Sequence, residues 1–172
     1  MIRFIRRGAA DQKGAAAVEF VLIFPVLFVL HVGAAEALMA YQAQRNVAHI
    51  ASAMADIVAQ SRSVTTSDLD DVLTASGAMI HPYPQLGVQQ RISSISKNSS
   101  GTQTTDWSVK KAYTLTGGPS VPYGFLANGE SVIVTDVIYD YKPTFGLFMP
   151  ATIRFTRHAY VRPRLSNQVE KL

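Results

Sequence analysis

One long apolar stretch near the start of the chain restricts the fold more than any other feature. Residues 15–40 read AAAVEFVLIFPVLFVLHVGAAEALMA, and their only ionisable side chains are Glu19, His31 and Glu36. As a helix, this stretch would be about 39 Å long, which is enough to cross a hydrocarbon core of about 30 Å. Pro25 is tolerated in a membrane helix, where a kink or a neighbouring helix satisfies the freed backbone group. We therefore predict a transmembrane helix over residues 15–40.

Basic residues are concentrated on one side of this stretch. Four of them lie within residues 1–14, whereas the first base after the stretch is Arg45. Because basic flanks favour the cytoplasmic side, we expect residues 1–14 to be a cytoplasmic leader and the C-terminal domain to be periplasmic. A cleaved secretory signal peptide is the alternative, and residues 33–35 imitate its cleavage site, but the apolar run is longer than such a signal. The prediction is a single-pass protein of the bacterial inner membrane.

The composition excludes several classes of function. The chain has no cysteine, so disulfide scaffolds, thiolate nucleophiles and zinc–thiolate sites are absent. Only 16% of the residues are charged and the net charge is +4, with the excess bases divided between the two ends of the chain. A nucleic-acid binder would gather its bases on one folded surface. We therefore expect neither a nucleic-acid partner nor a cofactor.

The helical pattern continues beyond the apolar stretch, over residues 41–60. This segment lacks glycine and proline, and its apolar side chains recur at helical spacing. They are Val47, Ile50, Met54, Ile57 and Val58. We predict one continuous helix from residue 15 to about residue 60, whose second half is amphipathic and packs on a globular head.

Residues 61–172 are predicted to form an α+β head. Ser67 followed by Asp68 is typical of a capped helix start, and Gly77 is a plausible stop for that helix. Four strands are predicted after it by alternating apolar and polar residues, over residues 88–96, 107–114, 131–141 and 152–161. Strands that are polar on one face favour an antiparallel sheet with one solvated side and one side packed on the long helix. The predicted fold class is α+β, a long N-terminal transmembrane and stem helix on a small antiparallel sheet.

An apolar loop connects the last two predicted strands. Residues 143–150 read PTFGLFMP, although loops are usually polar. One interpretation is that Phe145, Leu147 and Phe148 fold back over the core. The other is that these three residues form an exposed patch that contacts another subunit or the membrane surface.

The start of the long helix resembles a known processing site. Residues 14–20 read GAAAVEF and follow a short basic leader. This glycine, with a glutamate five residues later and then an aromatic residue, resembles the site of type IV pilin-like proteins. With the apolar run that follows and Glu36, it resembles the TadE/TadF family of pseudopilins of the tight-adherence (Flp) pilus. The stretch 130–164 also resembles the end of those proteins, whereas residues 61–129 carry no motif that we can assign.

The resemblance implies a set of roles and partners. A separate membrane prepilin peptidase would cleave between Gly14 and Ala15 and leave Glu19 as the fifth residue of the mature chain. Glu19 and Phe20 would act in assembly, with other pilin or pseudopilin subunits and the assembly platform as partners. An acid at this depth is otherwise explained as a tolerated interfacial residue. Our hypothesis is that Glu19 of one subunit pairs with the Ala15 ammonium of a neighbour and sets the axial register.

The sequence contains no recognisable constellation of catalytic or metal-binding residues. Its four histidines lack metal-ligand spacing, and neither a nucleophile motif nor a phosphate-binding glycine loop is present. We predict that the protein is not an enzyme but a minor pilin-like subunit that contributes to pilus assembly and adhesion, and that either joins an extracellular pilus or primes its assembly. The runner-up is an inner-membrane-anchored periplasmic protein that stays unprocessed and binds a partner there.

Overall fold

The computed structural model describes residues 12–114 and 116–172. Its longest element is a single helix, α1 (Gln12–Ala59), of 48 residues. At 1.5 Å per residue α1 is about 72 Å long, and Pro25 lies inside it without ending it. The long continuous helix is therefore present, and it starts three residues before the predicted Ala15. Residues 1–11, which make up most of the predicted leader, lie outside the described residues.

The second half of α1, residues 36–59, buries one face against the head, and we call it the packed half. Buried residues recur every three or four positions along it, joined toward its end by a directly following alanine, which places most of them on one stripe of the helix. The stripe consists of Glu36, Ala40, Ala43, Val47, Ile50, Ala51, Met54, Ala55, Val58 and Ala59. Ile57 was predicted to belong to this stripe but is 49% exposed; it lies at the edge of the stripe, about 100° around the helix from Val58.

A short helix, α2 (Thr66–Gly77), follows α1. Its N-cap is Thr65, so the predicted start at Ser67 is wrong. The Thr65 hydroxyl accepts a hydrogen bond from Asp68 N, and the Asp68 carboxylate accepts one from Thr65 N at 2.8 Å. This capping box satisfies two backbone donors at once, which Ser67 could not do from inside the first turn. Gly77 is the last α-helical residue, with right-handed geometry, and a short 3₁₀ turn continues directly from it.

Two pairs of residues connect the ends of the head. Strand β1 (Ser63–Val64) runs parallel to β6 (Glu170–Lys171) near the C-terminus. Val169, directly before β6, is fully buried in the core. Its carbonyl accepts a hydrogen bond from the Trp107 indole at 2.8 Å. Neither strand was predicted, because two residues are too few for an alternating pattern.

Four longer strands form an antiparallel sheet in the order β3-β2-β4-β5. They are β2 (Val88–Lys97), β3 (Gln103–Lys111), β4 (Ser131–Tyr141) and β5 (Ile153–Val161). The predicted β3 was displaced toward the C-terminus, because its first residues are polar and carry no alternation. They join the sheet by pairing with β2, as in the pair Lys97 and Gln103.

The α+β fold predicted from the sequence is confirmed, with α1 packed on one face of the sheet. The prediction of a solvated second face is wrong for the central strands, since β4 is buried on both sides. Residues 116–130, which we call the covering loop, lie over that second face. Val121 and Leu126 of the covering loop pack there against Val132 and Val134 of β4.

Candidate functional site: the free half of α1 and its junction with the head

The first half of α1 is exposed on every side. Residues 14–31, which we call the free half, are all exposed in the described structure. Their large apolar side chains between Val18 and Leu30 are 42–70% exposed. These 18 residues are about 27 Å long, close to the thickness of a hydrocarbon core. By length and composition, α1 is the helix of the described chain that can cross a membrane.

The predicted assembly residues lie in this free half. Glu19 and Phe20 are both exposed, and Glu19 is one helical turn after Ala15. Phe20 begins a row of aromatic rings along the helix, with its centroid 5.5 Å from that of Phe24, which is 6.0 Å from that of Phe28. Both residues are thus presented to the surroundings of the helix and not to the head.

The predicted processing site lies near the start of the described part of α1. Gly14 and Ala15 are both helical and both exposed. A Cβ at Gly14 would meet nothing within 4 Å among the described residues, so packing does not require glycine there. The Gly14–Ala15 bond therefore lies in helical backbone that does not pack against the described head.

Glu36 connects α1 to the apolar loop, residues 143–150. Its side chain is buried, with 1% of the residue exposed. Glu36 Oε1 accepts hydrogen bonds from the backbone N–H groups of Phe145 at 3.0 Å and Gly146 at 2.7 Å. Two hydrogen bonds to one buried oxygen contribute about 1 kcal/mol each and fix the direction of the loop backbone. Glu36 therefore holds the backbone of the apolar loop against the helix.

Gly33, one turn before Glu36, allows the apolar loop to approach α1 closely. A Cβ at Gly33 would lie 3.2 Å from Cδ2 and 3.3 Å from Cε2 of the Phe148 ring. Even so, Phe145, Leu147 and Phe148 are 58%, 58% and 66% exposed. The interpretation in which these side chains fold back over the core therefore does not hold. The backbone of the loop is attached to the helix, and its apolar side chains remain uncovered.

Two tyrosines complete the junction. The Tyr83 hydroxyl donates a hydrogen bond to the Met39 carbonyl at 2.7 Å, and the Tyr83 and Tyr141 rings meet edge to face at 5.6 Å. Burial raises the pKa of Tyr141, and the neighbouring Tyr83 and the charge of Glu36 raise it further. The Tyr141 hydroxyl and Glu36 Oε2 are buried without a hydrogen-bond partner in the part of the chain that is described.

A second ionisable cluster holds the covering loop. Asp136 is buried between Arg91, in an ion pair, and His158, whose Nδ1 lies 2.5 Å from Asp136 Oδ1. Arg91 also donates to the carbonyl of Gly117 at 2.6 Å and lies over the Tyr113 ring at 4.6 Å. Arg91 thus joins Asp136 of the sheet to the backbone of the covering loop and fixes that loop on the outer face of the sheet.

The C-terminal arginines are similarly used inside the head. Arg154 pairs with Asp140 at 2.6 Å, Arg162 with Glu130 at 2.9 Å, and Arg164 with Asp56. The bond from Arg154 lowers the pKa of Asp140. Over the described ranges, 12–114 and 116–172, no group of three or more His, Asp or Glu side chains is placed to hold a metal ion.

Sequence reasoning missed the function of Glu36 within the head. The sequence contains a signal, since Glu36 interrupts an apolar stripe at the spacing of Ala40 and Ala43. A carboxylate at such a position needs buried donors. The pattern does not indicate that these donors come from the backbone of a loop more than 100 residues later.

These features define a class of protein. It is an α+β protein in which one helix both packs on the sheet and extends beyond it as an uncovered apolar segment of membrane-spanning length. Residues 14–56 match the family model described as TadE-like protein, which confirms the resemblance over this segment. The match starts at Gly14 and is consistent with a component associated with the tight-adherence pilus. No curated protein and no solved structure matches the chain significantly.

Proposed function

We propose that this protein is a minor pilin-like subunit, or pseudopilin, of a tight-adherence pilus, which is processed at Gly14 and contributes to pilus assembly and adhesion. Before assembly it spans the inner membrane once, with residues 1–14 in the cytoplasm and the head in the periplasm. One observation carries the proposal. The TadE-like segment begins with an uncovered apolar half-helix, which carries Gly14, Glu19 and Phe20, and continues without a break into the core of the head.

The uncovered half-helix supports the proposal of a filament subunit, because two different surroundings can cover its apolar side chains. In the membrane, lipid surrounds its apolar side chains. In a filament, the equivalent helices of neighbouring subunits would cover them, as association of apolar helices requires only close packing. The head is completed by the packed half alone, so it does not need to change when the free half moves from one environment to the other.

Processing is compatible with the position of the Gly14–Ala15 bond. A peptidase needs an extended substrate, and both Gly14 and Ala15 are exposed. Gly14 lowers the steric cost of the extended form. Cleavage would create an ammonium on Ala15, and Glu19 of a neighbouring subunit would pair with it. Because desolvation offsets much of that attraction, the pair would serve register more than stability.

The first test is cleavage by a prepilin peptidase. Co-expression of the full chain with the peptidase should remove residues 1–14, as read by mass spectrometry of the N-terminus. Gly14→Leu should block this removal. Gly8→Leu is the matched control, because Gly8 lies in the same leader but has Lys13, not a glutamate, five residues later. A wild-type chain that stays intact would reject the processed subunit and favour the unprocessed membrane-anchored protein.

A second test separates processing from assembly. Glu19→Gln should be cleaved normally but should enter pili poorly, because it cannot pair with an ammonium group. Glu19→Asp keeps the charge and is the control. Normal piliation by Glu19→Gln would exclude the proposed pairing, as measured by the amount of this subunit in sheared pilus fractions relative to the membrane.

A further inference from the structure

The apolar loop lies at the level where the free half of α1 ends. The last exposed residue of the free half is His31, and the first contact with the loop is at Gly33, beside the Phe148 ring. If the free half spans the hydrocarbon core, the next turn of α1 lies at the membrane–water boundary. Phe145, Leu147 and Phe148 therefore continue the apolar surface of the helix at that depth.

The loop is also held in a fixed position there. Glu36 accepts hydrogen bonds from two successive backbone N–H groups of the loop, and Gly33 provides the space for the edge of Phe148. A buried carboxylate and a close ring contact orient the backbone, yet the three apolar side chains remain more than half exposed. In water, such an arrangement leaves apolar surface uncovered at a cost.

Two further exposed residues, Leu86 and Lys142, lie at this end of the head. Leu86 is 99% exposed and lines one cleft with Tyr141 and Lys142, next to the apolar loop. Lys142 is exposed directly before the loop begins. Apolar side chains with a flanking lysine are typical of segments that lie in the lipid interface, where the lysine can reach the head groups.

We propose that Phe145, Leu147 and Phe148 insert into the outer leaflet of the membrane from which the protein emerges, so that the head sits directly on the bilayer. Lipid is the occupant because the three side chains are continuous with a surface of membrane-spanning length, and because Glu36 fixes them beside the exit point of the helix. This inference rests on the proposed membrane orientation, but it does not depend on processing or on incorporation into a pilus.

The chain has no cysteine, so single cysteines can carry a polarity-sensitive fluorophore. Three full-length variants are compared in vesicles of phosphatidylethanolamine and phosphatidylglycerol that contain spin-labelled lipids. Leu147→Cys reports on the apolar loop and keeps both phenylalanine rings. Leu27→Cys reports on the free half. Tyr123→Cys is the control, since Tyr123 is an exposed apolar residue like Leu147 but lies in the covering loop, which packs near the opposite end of β4.

The fluorescence of the label at position 147 should be quenched strongly by nitroxides near the glycerol end of the acyl chains. Nitroxides near the methyl end should quench it less. The label at position 27 should be quenched by the deeper nitroxides, and the label at position 123 by neither. Adding Phe148→Glu to Leu147→Cys should reduce quenching to the level of position 123. Circular dichroism checks that each variant is folded.

A water-like, unquenched label at position 147 would overturn the proposal. So would a label that is shielded from water, escapes the lipid nitroxides and becomes exposed on dilution into more lipid, because that result identifies a second copy of the chain as the occupant. An unquenched label at position 27 would remove the membrane span on which both proposals rest. Since the vesicles contain no peptidase or pilus protein, a failed cleavage test does not affect this measurement.

Discussion

The two halves of α1 share one helical geometry but have opposite surfaces. The free half carries large apolar side chains all around the helix, whereas the packed half has a single buried stripe in which alanine recurs. Small side chains allow the sheet to pack closely on that stripe. Large side chains all around the helix are suited to lipid or to other apolar helices. One continuous helix is therefore built for two different environments, and the boundary lies between residues 32 and 36.

The largest expected effect distinguishes the two halves directly. Ile50 is fully buried in the packed half, so Ile50→Ala should lower the free energy of unfolding of the head by about 2–5 kcal/mol. Leu27→Ala makes a similar truncation in the free half and should leave that free energy unchanged. The measurement is urea unfolding in detergent, followed by the fluorescence of Trp107. Equal losses for the two variants would contradict the division of α1.

The second effect compares two glutamates on the same helix. Glu36→Ala removes the acceptor of two loop N–H groups and should destabilise the junction by about 2 kcal/mol, since each lost hydrogen bond contributes about 1 kcal/mol. Hydrogen exchange at Phe145 and Gly146 should become faster. Glu19→Ala should change neither, because Glu19 lies in the free half. Unchanged exchange in Glu36→Ala would show that other contacts hold the loop.

A smaller effect is expected at Gly33, where the two halves meet. Gly33→Leu should press a side chain against the Phe148 ring, because a Cβ at this position would lie 3.2 Å from that ring. The substitution should cost about 1 kcal/mol, the low end for overpacking. Gly14→Leu meets no described atom and should leave the head unaffected. The readout is protease accessibility of residues 143–150, which should increase only for Gly33→Leu.

The smallest expected effect is a loss of stability of the head at acidic pH. The hydrogen bonds from Thr65 lower the pKa of Asp68 below its usual value of 3.8. The capping box is therefore complete above pH 4 and weakens as the pH falls through the lowered pKa in the folded protein. Asp68→Asn should reduce this acid sensitivity of α2, whereas Asp71→Asn, on the same helix, should not. Unfolding curves between pH 2 and pH 7 provide the comparison.

Much of the architecture was predictable because local patterns were strong. The bounds of β4 follow from eleven residues rich in β-branched and aromatic side chains, and the length of α1 follows from an apolar run and a following segment, residues 41–60, free of glycine and proline. The start of α2 was misplaced by two residues, since both Thr65 and Ser67 are good N-caps and only the bond to Asp68 distinguishes them. The start of β3 was missed because its residues are polar on both faces.

The candidate site was predictable in part. Gly14, Glu19 and Phe20 were identified through the spacing at the start of the apolar run, and their proposed roles still await the cleavage and piliation tests. The buried role of Glu36 was not predictable, because its partners are backbone N–H groups, which every residue has. The covering loop was likewise not predictable, since Arg91 binds it through the carbonyl of Gly117, a group that leaves no trace in side-chain patterns.

The sequence by itself determines the apolar surface of the free half, the stripe of the packed half and the alternation of the strands. Each of these features depends on side chains that are only a few positions apart. Contacts between distant segments determine which face of the sheet is covered, which carboxylate is buried and where Phe145, Leu147 and Phe148 lie relative to the helix. These outcomes depend on packing and on backbone hydrogen bonds across more than 100 residues, and such interactions are set only when the whole head folds.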